Sequence, residues 1–549
     1  MLSVTNTMKE NEISGDHCHN MFVTGKNNNN MLCVRTPLAM KRSSGFYDFH
    51  GMDTQCVFPS GNSKESTMNR RPSRKNIVKI VSGLTFSFFL TEEGDVFGCG
   101  DDKTIPDVEE GLTNEGYSVK KVTFFDGMNV VDISCGDNFT FFVTCENVVY
   151  VCGMETQDRS MKPDQLNGYE TIQSYHFNEG AIIKEISCGS HHALFVTRDG
   201  KEIYGCGLND FGQLGTLSLF VGKGSYQEMN RAFDSWKDID PSTRAYKDDQ
   251  VQIPDQKSID DDVKKFQPLT EPTLILHLTT ILSKTMDSMT RIVCGDDFSA
   301  ILTSTYLYLS IFSNCLENGL VYIMGSNEFY QFGVIPIDRL WIATPSPVFS
   351  QPICEIHAMS RTLFYKIKSG QWYMTGGENI RGLPKKYCYQ SPRLTNFTGK
   401  CYTKKVIDDS VEQIPLMKDC SSVNCGKRHM IFIKGKFSTL FFTPSDDFSV
   451  YGLGDNQFCV MGDMPGATIV LKPTKIHFLE SIQHERPQCK VRISCGRHCT
   501  FVWFTDVDWR RRFKHYMHRQ LGNYLSDVAL VTNSSVFVGL EPPKKKVKM

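Results

Sequence analysis

A short apolar run ending in Cys-Gly recurs along this chain and leaves few folds open to it. Ile133-Ser-Cys-Gly136, Ile186-Ser-Cys-Gly189, Ile292-Val-Cys-Gly295, Val423-Asn-Cys-Gly426 and Ile493-Ser-Cys-Gly496 share one pattern. Ile80-Val-Ser-Gly83 is a sixth copy, and Ile356-His-Ala358 begins a degenerate seventh. A second apolar run follows each anchor and ends in Thr, as in Phe88-Phe-Leu-Thr91, Phe142-Val-Thr144 and Phe195-Val-Thr197. Glu93-Gly94, Asp199-Gly200 or Asn318-Gly319 then turns the chain, and a third run closes on Gly100, Gly153, Gly207, Gly325 or Gly454. An acidic residue or Asn before Gly, set between two alternating runs, is a strong hairpin signal and predicts a two-residue turn, in which both positions need φ > 0. Each unit is therefore expected to be a small antiparallel sheet that cannot bury its own faces, and stacking such units around an axis solves that problem. Seven units predict an all-β, seven-bladed propeller.

Spacing agrees. Gly83 to Gly136 and Gly136 to Gly189 are both 53 residues, whereas Gly189 to Gly295 is 106. The excess falls in 216–265, which lacks an anchor and holds Asp234, Asp238, Asp240, Asp248, Asp249 and Asp260 to Asp262. It reads as a polar, solvated insertion in the third blade. Ser304 to Leu316 and Gly435 to Ser445 interrupt blades four and six at the hairpin position; they are either long tips or translated introns, a choice the spliced transcript decides. The expected organisation is a disordered polar leader at 1–76, a propeller at 77–504, and a helical extension at 505–549.

Cys188-Gly-Ser-His-His192, Phe195-Val-Thr-Arg-Asp-Gly200, Tyr204-Gly-Cys-Gly207 and Gly212-Gln-Leu-Gly215 together resemble the regulator-of-chromosome-condensation repeat family. The resemblance runs from about Lys79 to Phe504, and it weakens after blade four, where Gln331-Phe-Gly333 and Gln457 to Gly462 are remnants of the last motif. It implies a seven-bladed propeller. It also brings a range of functions: guanine-nucleotide exchange on a Ran-type small GTPase, ubiquitin-ligase subunits, and scaffolds. Fold alone does not choose among them. In the exchange factor a wedge projects from one blade, and 216–265 invites that comparison without a motif to transfer. After the last anchor, Trp509 to Tyr524 places Trp509, Phe513, Tyr516, Met517 and Tyr524 on one helical stripe, with Arg510 to Arg512, Lys514 and Arg519 mostly elsewhere, and Leu525 to Val531 follows. This resembles the opening of a truncated BTB/POZ domain.

The structural anchors of the repeat are thus Gly83, Gly136, Gly189, Gly295, Gly426 and Gly496, with Gly207, Gly212 and Gly215 closing the third unit. His192 and His429 stand near Cys188 and Cys425, but their donors belong to different blades, so structural histidines are expected rather than zinc ligands. Lys544, Lys545, Lys546 and Lys548 after Pro542-Pro543 fit a nuclear-import signal, with an ordinary basic tail as the alternative. No phosphate-cradling Gly-Lys-Ser/Thr loop, His-Glu-x-x-His or Gly-x-Ser-x-Gly elbow occurs, so no catalytic, cofactor or metal residue is expected. A formal net charge of -1 offers no bulk pull toward nucleic acid. Met1 to Asn20 has no apolar core of a secretory signal, and Ser304 to Leu316 is too short to span a bilayer. The twenty cysteines are then expected to be reduced, and the setting intracellular, cytoplasmic or nuclear. The expected function is a propeller scaffold binding protein partners through its face loops, a small GTPase or ubiquitin-ligase component among them. The alternatives are guanine-nucleotide exchange and chromatin-associated regulation.

Overall fold

A computed structural model describes residues 21–26, 46–52, 77–100, 119–153, 172–215, 250–251, 269–275, 287–305, 317–329, 339–345, 352–376, 402–403, 412–418, 420–435, 448–456, 469–477 and 489–506, with a few single positions between them. Seven four-stranded antiparallel sheets are present among them, together with a two-stranded one. The innermost strands are Ile77–Ser82, Val130–Cys135, Ile183–Cys188, Asp287–Cys294, Ile353–Met359, Cys420–Cys425 and Cys489–Cys495, one per blade. Each packs against the next, and Cys489–Cys495 returns to Ile77–Ser82, so the ring closes. The chain is a seven-bladed β-propeller.

Packing follows from the two-residue period of the strands. In Phe86–Thr91, Phe88 faces blade two and meets Phe142 at 5.3 Å, edge on. Its neighbour Phe89 faces blade seven and meets Phe501 at 5.5 Å. Phe141 likewise points away from Phe142 and reaches Phe195 of blade three at 5.0 Å. The buried apolar residues accordingly fall into seven clusters, one in each cleft between neighbouring blades. Each buried phenylalanine contributes about 2–3 kcal/mol of burial, a gain available only when the next blade is present.

The seventh blade corrects the sequence reading of 1–76. Its inner strands are Cys489–Cys495 and Cys499–Asp506, but its outer two come from the expected leader: Met21–Lys26 pairs with Cys499–Asp506, and Phe46–Met52 pairs with Met21–Lys26. Met21 and Val23 are buried against Phe89, Phe97 and Phe501. Met21-Phe-Val-Thr-Gly25 is in fact a third-strand motif. Gly25 has φ +121°, and a Cβ there would lie 2.2 Å from the His498 carbonyl oxygen, as one at Gly100 (φ +134°) would lie 2.3 Å from that of Thr85. The polar composition around this short run concealed it.

Two turn readings are also revised. Glu93-Gly94 and Asp199-Gly200 do not form two-residue turns with two left-handed residues; only the glycine has positive φ, and its N–H donates to Thr91 or Thr197. That is the three-residue hairpin, a turn closed by one left-handed position. Asn147, at φ 62°, fills that position in blade two. Asn318-Gly319 is no turn at all, because the strand Glu317–Ser326 runs through it and Thr305 pairs with Glu317. The remainder of that interruption, most of 216–265, the stretch after Gly435 and everything beyond Asp506 lie outside the described residues.

The ring has two ends. Inner strands finish at the anchoring glycines, and the third strands of the blades end beside them, as His192 pairing with Gly207 shows. This is the glycine end. The hairpin turns and the connections between blades lie at the opposite, turn end. In six blades the ladder of the inner strand is bulged just after its start, for example between Ile77 and Lys79 and between Val130 and Asp132.

Candidate functional site at the propeller axis

The anchoring glycines meet around the axis. A Cβ on Gly136 would fall 2.8 Å from the Gly189 carbonyl oxygen, and one on Gly189 would fall 2.5 Å from that of Gly295. On the other side each glycine carries a ring: Phe139 packs on Gly136, His192 on Gly189 and Phe298 on Gly295. Gly426 abuts Gly496, and Gly496 abuts Ser82 of the first blade. These glycines are required by close approach. Gly207, Gly212 and Gly215 instead have φ of 97°, 82° and 62° and form the turn after the third strand.

The residue after each anchor builds the glycine end of the axis: Leu84, Asp137, Ser190, Asp296, Ser360, Lys427 and Arg497, one per blade. Their backbones form a chain of hydrogen bonds from blade to blade. Leu84 N–H donates to Asp137 O (2.8 Å), Asp137 N–H to Ser190 O (3.3 Å), Ser190 N–H to Asp296 O (3.4 Å) and Asp296 N–H to Ser360 O (2.8 Å). Lys427 N–H donates to Gly496 O at 3.4 Å.

Their side chains bind across the axis. Lys427 Nζ lies 3.2 Å from Asp296 Oδ1, 3.1 Å from Ser190 Oγ and 3.8 Å from Asp137 Oδ1. Arg497 pairs with Asp137, and the hydroxyls of Ser190 and Ser360 donate to Asp296. Burial pushes the Asp296 carboxyl up, but Lys427 and the two hydroxyls outweigh it and hold the group down at about 2. Asp296 is thus an ionised carboxylate fully engaged by one cation and two donors. Below this network lies a cavity of about 190 Å³ lined by Cys135, Cys188, Cys294, Cys425 and Cys495, with Lys79 deeper in. Four residues before the anchors, Lys79, Asp132, Glu185, Arg291, Glu355, Ser422 and Arg492 hold one register, and Lys79 bonds Asp132 at 2.6 Å.

The thiols are packing groups. Burial raises Cys135 and Cys495 to about 12 and Cys294 to about 11, and pushes Cys188 and Cys425 up as well. Serines one position earlier link them across blades: Ser134 Oγ donates to Cys188 Sγ at 3.3 Å, and Ser187 Oγ accepts from Cys294 N–H at 3.0 Å. All of these are free thiols, but Cys99 is disulfide-bonded, which corrects the expectation of reduced cysteine at that residue.

His192 and His429 are buried between blades, each with Nε2 on a hydroxyl of the next: Ser299 at 2.9 Å and Thr500 at 2.7 Å. Each hydroxyl gives its one proton to a carbonyl, Gln213 O or Val460 O. It must then accept from the imidazole, which assigns the Nε2–H tautomer. Burial first, then Lys427, lowers His192 to about 3; burial and His498 lower His429 to about 3. No three of the described His, Cys, Asp or Glu side chains converge as a metal site would require. The lost Gly-Gln-Leu-Gly endings survive as geometry. Asn327 Oδ1 accepts from Phe332 N–H at 2.8 Å and Asn456 Oδ1 from Met461 N–H at 2.9 Å, as Asn209 Oδ1 does from Leu214 N–H at 2.9 Å.

Residues 77–103, 130–157 and 183–213 match the regulator of chromosome condensation (RCC1) repeat family, and their described parts hold the inner three strands of blades one to three. These three stretches are similar to RCC1 repeats. Among curated proteins, the chain is similar to the serine/threonine-protein kinase Nek9 of Mus musculus, at 33% identity over 28% of this chain and 16% of the kinase. It is also similar to the mitochondrial RCC1 domain-containing protein RUG3 of Arabidopsis thaliana, at 29% over 26% of this chain and 33% of that protein. The probable E3 ubiquitin-protein ligase HERC4 of Homo sapiens matches at 29% over 28% of this chain and 15% of the ligase. The matched part is thus a third or less of each of these relatives. Among solved structures, Prp20p of Saccharomyces cerevisiae, studied for its binding to Gsp1p and histones, superimposes with a TM-score of 0.55 at 14% identity, covering 92% of this chain and 95% of that one. Human WBSCR16 gives 0.51 at 14%, covering 88% and 100%. At such identities the likeness shows a shared propeller fold.

The anchoring residues were legible as a repeat; the position that follows each anchor was not singled out. Asp137, Asp296, Lys427 and Arg497 carry no motif, and only their shared place after the glycine links them. No helix among the described residues is long and apolar enough to cross a membrane. Lys544, Lys545, Lys546 and Lys548, and the BTB/POZ-like opening, lie outside the described residues.

Proposed function

We propose that this RCC1-repeat propeller is a scaffold that binds a protein partner through loops at its glycine end. The observation that carries this reading is a two-stranded sheet in which Gln250–Val251, in the connection between the third and fourth strands of blade three, pairs with Tyr402–Thr403 in the same connection of blade five. Both connections leave from the glycine end, so one built element bridges two loops over a frame whose axis is already closed by its own ion pairs. Groups held ionised by neighbours, and thiols held protonated by burial, favour recognition over chemistry. The test is quantitative affinity capture with the intact chain and with a variant in which 216–265 is a short Gly-Ser linker. Partners retained on the intact chain and lost from the variant support the reading; an unchanged set overturns it.

Guanine-nucleotide exchange on a small GTPase is the second reading, favoured by the likeness to Prp20p, which binds Gsp1p. Such exchange needs no acid or base, because binding energy that stabilises the nucleotide-free GTPase lowers nucleotide affinity by linkage. Release of a fluorescent nucleotide, faster by tenfold or more with the chain present, would establish it. A ubiquitin-ligase assembly, a chromatin role and a nuclear setting rest on the relatives and on the basic tail; the net charge of -1 leaves any chromatin contact to local patches.

A further inference from the structure

The cavity on the axis has a wall of one charge sign. Lys79, Lys427 and Arg497 line it, together with four serines and the five anchor cysteines, and none of the described lining residues is a carboxylate. The carboxylates that pair with these cations stand outside the lining: Asp132 at 2.6 Å from Lys79, Asp296 at 3.2 Å from Lys427, and Asp137 beside Arg497. The thiols sense the balance. Burial is the main influence on Cys135, followed by Lys427, then Asp137, then Lys79. At Cys425, after burial and Cys495, Arg291 stands ahead of Glu355. Held protonated, the thiols add no negative charge of their own.

Donors are left over in this wall. A lysine ammonium has three N–H donors and a guanidinium five. Lys427 faces three acceptors, in Asp296, Ser190 and Asp137. Lys79 donates to Asp132, and Arg497 donates to Asp137 through Nη1. Arg497 Nε is buried and has no hydrogen-bond partner among the described residues. A buried donor on a charged group is costly to leave unpaired, so an acceptor oxygen belongs there. The hydroxyl protons of Ser134, Ser360 and Ser494 already go to Cys188, Asp296 and Ile80 O, which leaves the cations as the groups that can hold a ligand. No three of the described thiols converge as a metal site would require, and a metal cation would meet the same positive wall. The volume of about 190 Å³ exceeds the roughly 150 Å³ that admits benzene, so a tetrahedral oxyanion fits. Lys79 lines the cavity and is 41% exposed, so an ion from solvent enters past it.

We propose that the axial cavity binds a small inorganic oxyanion, phosphate or sulfate, held by the Nε–H of Arg497 and the ammonium of Lys79. Arg497 belongs to blade seven and Lys79 to blade one, so the ion ties together the two blades between which the ring closes. A phosphorylated side chain carries the same chemistry, but the site lies inside the ring, which favours the free ion. The experiment is equilibrium dialysis of the full chain against radiolabelled inorganic phosphate, with ionic strength held constant by sodium chloride. Saturable binding of a single ion per chain is expected, displaced by sulfate. Lys79→Gln and Arg497→Lys should each weaken it by about tenfold, because each removes a charge-assisted hydrogen bond to the ion. Arg428→Gln removes a cation that pairs with Asp455 outside the cavity, and should leave binding unchanged. Arg497→Lys keeps a cation beside Asp137, and a cooperative melting transition shows that each variant is folded. If Arg497→Lys does not fold, Lys79→Gln, at a partly exposed residue, decides alone. Absence of saturable binding, an equal loss in Arg428→Gln, or tighter binding of a phosphoserine peptide than of the free ion would overturn the proposal.

Discussion

Gly189 shows how little room the axis leaves. A methyl group there would sit 2.1 Å from the His192 ring and 2.5 Å from the Gly295 carbonyl oxygen, the second of which is backbone and cannot yield cheaply. Gly189→Ala is therefore expected to destabilise by about 2–3 kcal/mol, read as a fall in chemical-denaturation midpoint. Gly127→Ala meets nothing within 4 Å and should cost only the strain of its left-handed φ, about 1 kcal/mol. The buried histidines give a pH signature. Their folded pKa values near 3 lie below the unfolded value near 6.5, so the unfolded chain binds protons first as pH falls. Stability is full above about pH 6.5 and is lost progressively below it, by roughly 2 kcal/mol per histidine at pH 5. Asp296 adds a loss that begins only below about pH 4. His192→Phe with His429→Phe places at both sites the residue that blades one, two and four use, as Phe86, Phe139 and Phe298. The acid-unfolding midpoint of this pair should move down by about one pH unit; an unmoved midpoint would place the proton uptake elsewhere. The cysteine-glycine anchors were readable because they repeat, whereas the ion network at the axis uses a different residue in nearly every blade and so left no pattern.

Each blade is a sheet whose faces are finished by its neighbours, and the elements that complete the seventh blade come from far away in sequence. Met21–Lys26 buries Met21 and Val23 in the cleft shared with blade one. Val23→Asp would put a carboxylate among Phe89, Phe97 and Phe501, and is expected to lower stability by about 3 kcal/mol or more, read by thermal unfolding. The sequence showed six copies of the anchor and one degenerate copy, and no third-strand pattern stood out after the last anchor, Ile493-Ser-Cys-Gly496. Met21-Phe-Val-Thr-Gly25 carried the missing third-strand pattern, but it stood hundreds of residues away and in polar company. Hairpin lengths were misread for a related reason: the pairing of Thr305 with Glu317 depends on tertiary register, not on local turn chemistry. In blade four, replacing 306–316 by Asn-Gly should leave the melting temperature within about 2 °C, because the ladder is already closed at that pair.

For the whole molecule, closure is the property from which the rest follows. Seven clefts share the burial, the post-glycine amides stitch the blades at one end, and the N-terminal strand latches the last blade to its partners. Face loops are then free to vary, and so the fold was legible in the repeats while the partner was not. The measurement that bears most directly on this account is hydrogen exchange at the post-glycine segments, comparing the intact chain with one lacking residues 1–26. The amides of Leu84, Asp137, Ser190, Asp296 and Lys427 should exchange together at the slow, global rate in the intact chain and become fast together once the latch is removed. Exchange of these amides at loop rates in the intact chain, or protection untouched by the deletion, would contradict a ring closed by the N-terminal strand.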